Sequence, residues 1–160
     1  MKKNGVSLFI SLAVLILVGM FMAVNLNAAP AGSEDKADAW KNDSLNEIHV
    51  VRGVISDWIK AWQSKDLEGY MAYYSPEFRS EKLDYHALRT KKAELFKRPG
   101  SISVNISNLW VFIEGPVAKV RFTQEYADTY LSDVGEKHML MMNSNGAWKI
   151  VSEEWKPLAR

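Results

Sequence analysis

Cysteine is absent from the chain, which excludes disulfides, thiolate metal sites, a cysteine nucleophile and lipidation at cysteine. Histidine is nearly absent, at 3 residues, and none has metal-ligand spacing. His49 has no second ligand at i+4 on its helix, and His86 is isolated, so no metal site is expected. Excess charge is also missing: the formal net charge is +1, from 20 basic and 19 acidic residues. A near-neutral body argues against nucleic acid as a partner, because phosphate binding needs clustered positive charge. The one basic cluster, Arg89, Lys91, Lys92, Lys97 and Arg98, reads as the solvated face of a helix. There is no Gly-x-Ser-x-Gly elbow, phosphate-cradling glycine loop or zincin motif. Internal repeats and low-complexity tracts are lacking too, and no cofactor is implied.

The chain does have a long apolar run near its start. Lys2-Lys3 precede Val6 to Val24, and small residues follow. A basic start, an apolar middle and small residues describe an export signal. The run is also long enough for a membrane span. Residues 1–29 are therefore read as a signal peptide cleaved within Ala28–Ala31, or as an uncleaved inner-membrane anchor formed by residues 6–24. Either way the basic residues stay cytoplasmic and the body is expected in the periplasm, touching membrane only through this segment. Residues 30–42 lack periodicity and read as a linker, leaving residues 43–160 as the domain.

Ser44-Leu45-Asn46-Glu47 has the form of a capping box, opening a helix with Leu45, Ile48, Val51, Ile55, Trp58, Ile59 and Trp62 on one stripe. Asp66 caps a second helix through Tyr74, which Pro76 stops. Leu83 to Lys97 forms a third, with Leu88, Leu95, Phe96 and the stem of Lys92 inward. The period then falls to two: Ile102, Val104 and Ile106 alternate with polar residues, and a bulge is expected near Asn108. Val117 to Leu131 is a strand carrying Ala118, Val120, Phe122, Gln124 and Tyr126 on one face, followed by a turn at Asp133-Val134-Gly135. Lys137–Asn143 and Trp148–Trp155 flank Asn145-Gly146, the strongest hairpin signal present. Three helices followed by a four-stranded meander predict an α+β fold, with the helices packed on one face of a curved antiparallel sheet.

Aromatic residues are abundant enough to line a pocket as well as fill a core. Trp58, Tyr70, Tyr74 and Phe78 come from the helical half, and Trp110, Phe122, Tyr126 and Trp155 from the strands. Large apolar side chains at these spacings are ordinarily core, whereas a phenol pairs an apolar body with a polar tip and suits a ligand site. Gln124 is the polar exception on an apolar strand face; a buried amide must be hydrogen-bonded, either to the fold or to a ligand. The acid–base candidates are Asp57, Asp84, His138, Glu153 and Glu154. Adjacent Glu153 and Glu154 face opposite sides of a strand and are no carboxylate pair, while His138 reads as a surface residue.

The element order, with Trp58, Trp62, Asp66 and Tyr70 in a Trp-x-x-x-Trp-x-x-x-Asp-x-x-x-Tyr array, resembles the nuclear transport factor 2-like (SnoaL-like) superfamily. Narrower similarity joins Ile102-x-Val104-x-Ile106, Val120-x-Phe122-x-Gln124-x-Tyr126, Asp133-x-Gly135-x-Lys137 and Trp148-Lys149-Ile150-x-x-Glu153 to the domain appended to cell-shape L,D-transpeptidase and carboxypeptidase proteins. The resemblance implies a cone-shaped barrel with an apolar pocket, often dimerising through the sheet's outer face, with a role in the cell envelope. Without the catalytic cysteine, only the accessory module carries over. The expected function is thus a non-catalytic exported module that binds a small apolar or cell-wall-derived ligand, or an envelope partner protein, and forms a homodimer. The alternative is an isomerase- or cyclase-type enzyme using one pocket carboxylate or histidine as base.

Overall fold

The computed structural model describes residues 33–158, so the Val6–Val24 run and its cleavage region lie outside the described residues. Three helices, α1 (Ser33–Gln63), α2 (Leu67–Met71) and α3 (Tyr85–Phe96), precede four strands, β1 (Ser103–Glu114), β2 (Val117–Ala127), β3 (Ser132–Ser144) and β4 (Ala147–Pro157). The strands pair antiparallel in the order β1-β2-β3-β4. The expected α+β cone is what forms.

Helix α1, Ser33–Gln63, takes in residues 33–42 of the expected linker and the Ser44 capping box. Residues 34–41 hold two Ala, two Lys and one Glu, all strong helix formers. Its apolar stripe is buried from Val51 to Trp62, whereas Leu45 is exposed. Asp66 caps α2, its carboxylate accepting from Gly69 N at 3.0 Å. This helix stops at Met71 and does not reach Tyr74. Tyr73 O instead accepts from Ile150 N at 2.8 Å and Ser75 N donates to Ile150 O at 2.9 Å, tying the chain to the edge of β4. An edge strand is thereby covered. Asp84 caps α3, accepting from Ala87 N at 2.8 Å.

Two expected features of the sheet form, and one does not. The bulge lies between Ser107 and Trp110, where Asn108 takes φ 55°. Asn145 and Gly146 both have positive φ, 54° and 82°, as a two-residue hairpin turn requires. Asp133-Val134-Gly135, expected as a turn, instead lies inside β3. The chain reverses earlier, where Asp128 Oδ1 accepts from Tyr130 N at 2.7 Å and Leu131 N at 2.8 Å, so β2 ends at Ala127 and not at Leu131.

A second bulge places the site. Leu140 pairs with Ser152 but Met141 with Ile150, leaving one extra residue in β4. The alternation along β4 therefore slips, and Glu153 and Trp155 join Trp148 and Ile150 on the concave face. Across the sheet this face changes character along its length. Ala118, Val120, Met139, Met141 and Ile150 close one end of the cone with a fully apolar core. Phe122, paired with Lys137, begins the polar end, followed by Gln124 opposite Gly135 and Tyr126 opposite Asp133.

Candidate functional site

The polar end of the cone opens as a cavity of about 610 Å³ between α3, the segment before it and the concave face of the sheet. Leu83, Leu88 and Leu95 form its helical wall, and Gln124, Tyr126, Lys137, Glu153 and Trp155 its sheet wall. Trp62 of α1 and Lys92 of α3 complete it.

Beneath the cavity runs a buried hydrogen-bonded chain. Trp58 Nε1 donates to Tyr74 Oη at 3.2 Å, and Tyr70 Oη lies 2.7 Å from the same oxygen. Tyr74 in turn donates to Glu153 Oε2 at 3.2 Å, which also receives Lys137 Nζ at 3.2 Å. Tyr74 has one proton and gives it to the carboxylate, so Tyr70 is the donor between the two phenols. Burial, then the nearby Glu153 charge, hold both phenols far above the ordinary tyrosine range. They stay protonated and serve as hydrogen-bond relays.

Lys92 is the second buried cation. Its Nζ sits 3.5 Å from the Trp62 ring centroid and 4.8 Å from that of Tyr70, a cation–π arrangement. Burial brings its pKa down from 10.5 to about 7, with Glu153 opposing and Lys137 reinforcing the shift. Trp62 is itself boxed by Trp58, Tyr70 and Tyr126, with centroids at 5.2, 5.8 and 5.5 Å.

The residues proposed from sequence divide into three groups. Gln124, Tyr126 and Trp155 line the cavity. Trp58, Tyr70, Tyr74, Phe78 and Phe122 are buried in the core beneath it. Trp110 does neither. It lies on the convex face, 46% exposed and stacked on Phe112, because the bulge at Asn108 sets it opposite Arg121 and away from Val111. Of the five acid–base candidates, only Glu153 reaches the floor; Glu154 lies at the rim. Asp57 is exposed and pairs with Lys60, Asp84 is a helix cap, and half-exposed His138 bonds Glu136.

Sequence reasoning missed Lys137, although its alternation with Met139 and Met141 places it inward. Helix periodicity turned the stem of Lys92 inward, as found, but the basic cluster left its charge among solvated cations. Of that cluster, Arg89 and Lys97 do form exposed pairs, with Glu68 and Glu94, but Lys92 is buried.

A curved antiparallel sheet closed by helices at one end and open to a cavity at the other defines an NTF2-like cone. Residues 50–154 match the family model of the Cds6 C-terminal NTF2-like domain, and the chain belongs to that family. No curated protein sequence matches it. Among solved structures, Bd1075 of Bdellovibrio bacteriovorus is similar with TM-score 0.67 and 24% identity, over 70% of this chain and 41% of that one. The helical cell shape determining protein Pgp2 of Campylobacter jejuni gives 0.57 and 20%, over 63% and 38%. A candidate scytalone dehydratase from Novosphingobium aromaticivorans gives 0.68 and 14%, over 74% and 89%. The chain thus spans less than half the length of the first two.

Proposed function

We propose that this chain is a non-catalytic binding module of the cell envelope, exported by its N-terminal segment. In this reading its cavity holds a small cell-wall-derived or apolar ligand, and the convex face of its sheet joins a second copy. The observation that carries the reading is the cavity that stays open beside the apolar core, with Trp62, Leu88 and Tyr126 shared between the two. A domain stabilised by that core does not need the cavity for its own packing, which leaves the cavity for a ligand. The similarity to a cell-shape determining protein supports an envelope role.

The enzyme alternative needs a free base in the cavity. Glu153 is the one carboxylate of the five candidates on the floor, and it is already engaged by Lys137 and Tyr74. That engagement favours binding over turnover. Protein purified from its native host and examined by native mass spectrometry should carry a small molecule that unfolding releases. A bare chain in every preparation would argue against the binding role. Catalysis of a small-molecule reaction that Glu153→Gln slows by about a hundredfold, the scale of a general base, would favour the alternative. Export is tested by fusing the full chain to a reporter active only outside the cytoplasm, and activity is expected.

A further inference from the structure

Most polar groups at the cavity floor are satisfied by one another, but three are left over. Lys92 Nζ lies over the faces of Trp62 and Tyr70 and forms no ion pair among the described residues. Trp62 Nε1 and Gln124 Oε1 are buried without a hydrogen-bond partner among the described residues. Lys92 and Gln124 are only 9% and 3% exposed. These groups come from three elements, α3, α1 and β2, and all three residues line the same cavity. Buried polar atoms are ordinarily paired, and each exception needs an explanation.

Their chemistry is complementary to one kind of molecule. Lys92 supplies a cation and Trp62 an N–H, two donors suited to the oxygens of an acid group. Gln124 supplies an acceptor, suited to an N–H or O–H. Of the two buried lysines in the lining, Lys137 is paired with Glu153, whereas Lys92 has no ion-pair partner among the described residues. Leucine side chains and Trp155 offer an apolar wall for the remainder of the ligand.

We propose that Lys92, Trp62 and Gln124 form a recognition site for a compact organic carboxylate carrying an N–H or O–H donor near its acid group. The proposal rests on the binding reading above and narrows it. It also accounts for a cation kept buried against aromatic rings at a cost to folding, since stability is commonly given up at sites of function. The lowered pKa of Lys92 adds a signature: above neutral pH, an incoming anion restores the ammonium form, so binding takes up a proton. The charged groups bearing on Lys92 are Glu153, Lys137 and Lys91, and the anion adds to the effect of Glu153.

The test uses N-benzoylglycine and its neutral primary amide, titrated into the full chain while the Trp62 indole N–H resonance is followed. The acid is expected to bind at least about tenfold tighter than the amide, the scale of a hydrogen bond to a charged group. Lys92→Met should remove that preference. Calorimetry of the wild type in buffers of differing ionisation heat should register proton uptake near pH 8, a readout that needs no variant. Equal binding of acid and amide by the wild type overturns the carboxylate site but leaves the binding module standing. So does a preference that survives in folded Lys92→Met. If neither probe moves the Trp62 signal at millimolar concentration, the site is overturned; if natively purified protein is also bare, the binding reading falls with it.

Discussion

Lys92 is a costly residue for this fold to keep. Its pKa falls from 10.5 to about 7 on burial, so between those values the unfolded chain holds a proton that the folded chain has released. Stability therefore rises with pH across that window, and below about pH 7 the full cost is present. Tyr70 and Tyr74 act in the opposite sense. Their pKa values are raised, so above the ordinary phenol range the unfolded chain loses protons that the folded chain keeps, and stability declines. Denaturation midpoints measured from neutral pH upward are expected to climb and then fall. Lys92→Met should be more stable than wild type at pH 7 and should lose the climb; a climb unchanged in the variant would assign it to another group. Trp62 presents the reverse case. Boxed by three aromatic rings and 6% exposed, it should cost about 3–5 kcal/mol when cut to alanine, as large aromatic truncations do. A denaturant midpoint equivalent to a loss below about 1 kcal/mol would contradict its place in the core.

Elements whose signals are local were legible in the sequence. Asp66 and Asp84 cap helices because a carboxylate there satisfies a free amide, and Asn145-Gly146 turns because both residues tolerate positive φ. The misread elements depend on contacts distant in sequence. Asp133-Val134-Gly135 has turn-like composition, yet Gly135 belongs to a strand and makes room for its neighbour. A Cβ there would lie 2.5 Å from Trp155 Cζ2 and 2.6 Å from Lys156 O. Gly135→Ala should thus displace Trp155 from the cavity wall and cost about 1–3 kcal/mol, the usual penalty of overpacking. Near-ultraviolet circular dichroism together with urea melts would detect both effects; an unchanged Trp155 environment would refute the close approach. The early stop of α2 likewise reflects backbone bonds to Ile150, which no local pattern encodes. The site was legible in part for the same reason. Gln124 and Tyr126 follow strand alternation directly, whereas Glu153 and Trp155 reach the floor only through the bulge in β4.

At the scale of the whole molecule, the two faces of the sheet divide the work. The concave face makes the core and the cavity, while the convex face carries Trp110 and Phe112, 46% and 45% exposed, their rings stacked at an interplanar angle of 6°. Arg121 lies over Trp110 at 5.7 Å, and Met142 adds exposed apolar surface. Trp and Arg are residue types that dominate interface energetics, and two ordered rings present area that needs little further ordering on association. These features support the proposed pairing of two copies through their sheets. In that arrangement both cavities stay open, because they lie on the opposite face of each sheet. Sedimentation of the wild type is expected to give a dimer, and the double change Trp110→Glu with Phe112→Glu a monomer. Because these rings are half-exposed and outside the core, the fold of each protomer should survive, with any change of stability attributable to lost association. A wild type that sediments as a monomer at high concentration, or a double variant that remains dimeric, would remove the convex face as the interface. Probe binding in the monomeric variant should match the wild type, since the cavity is built within one chain.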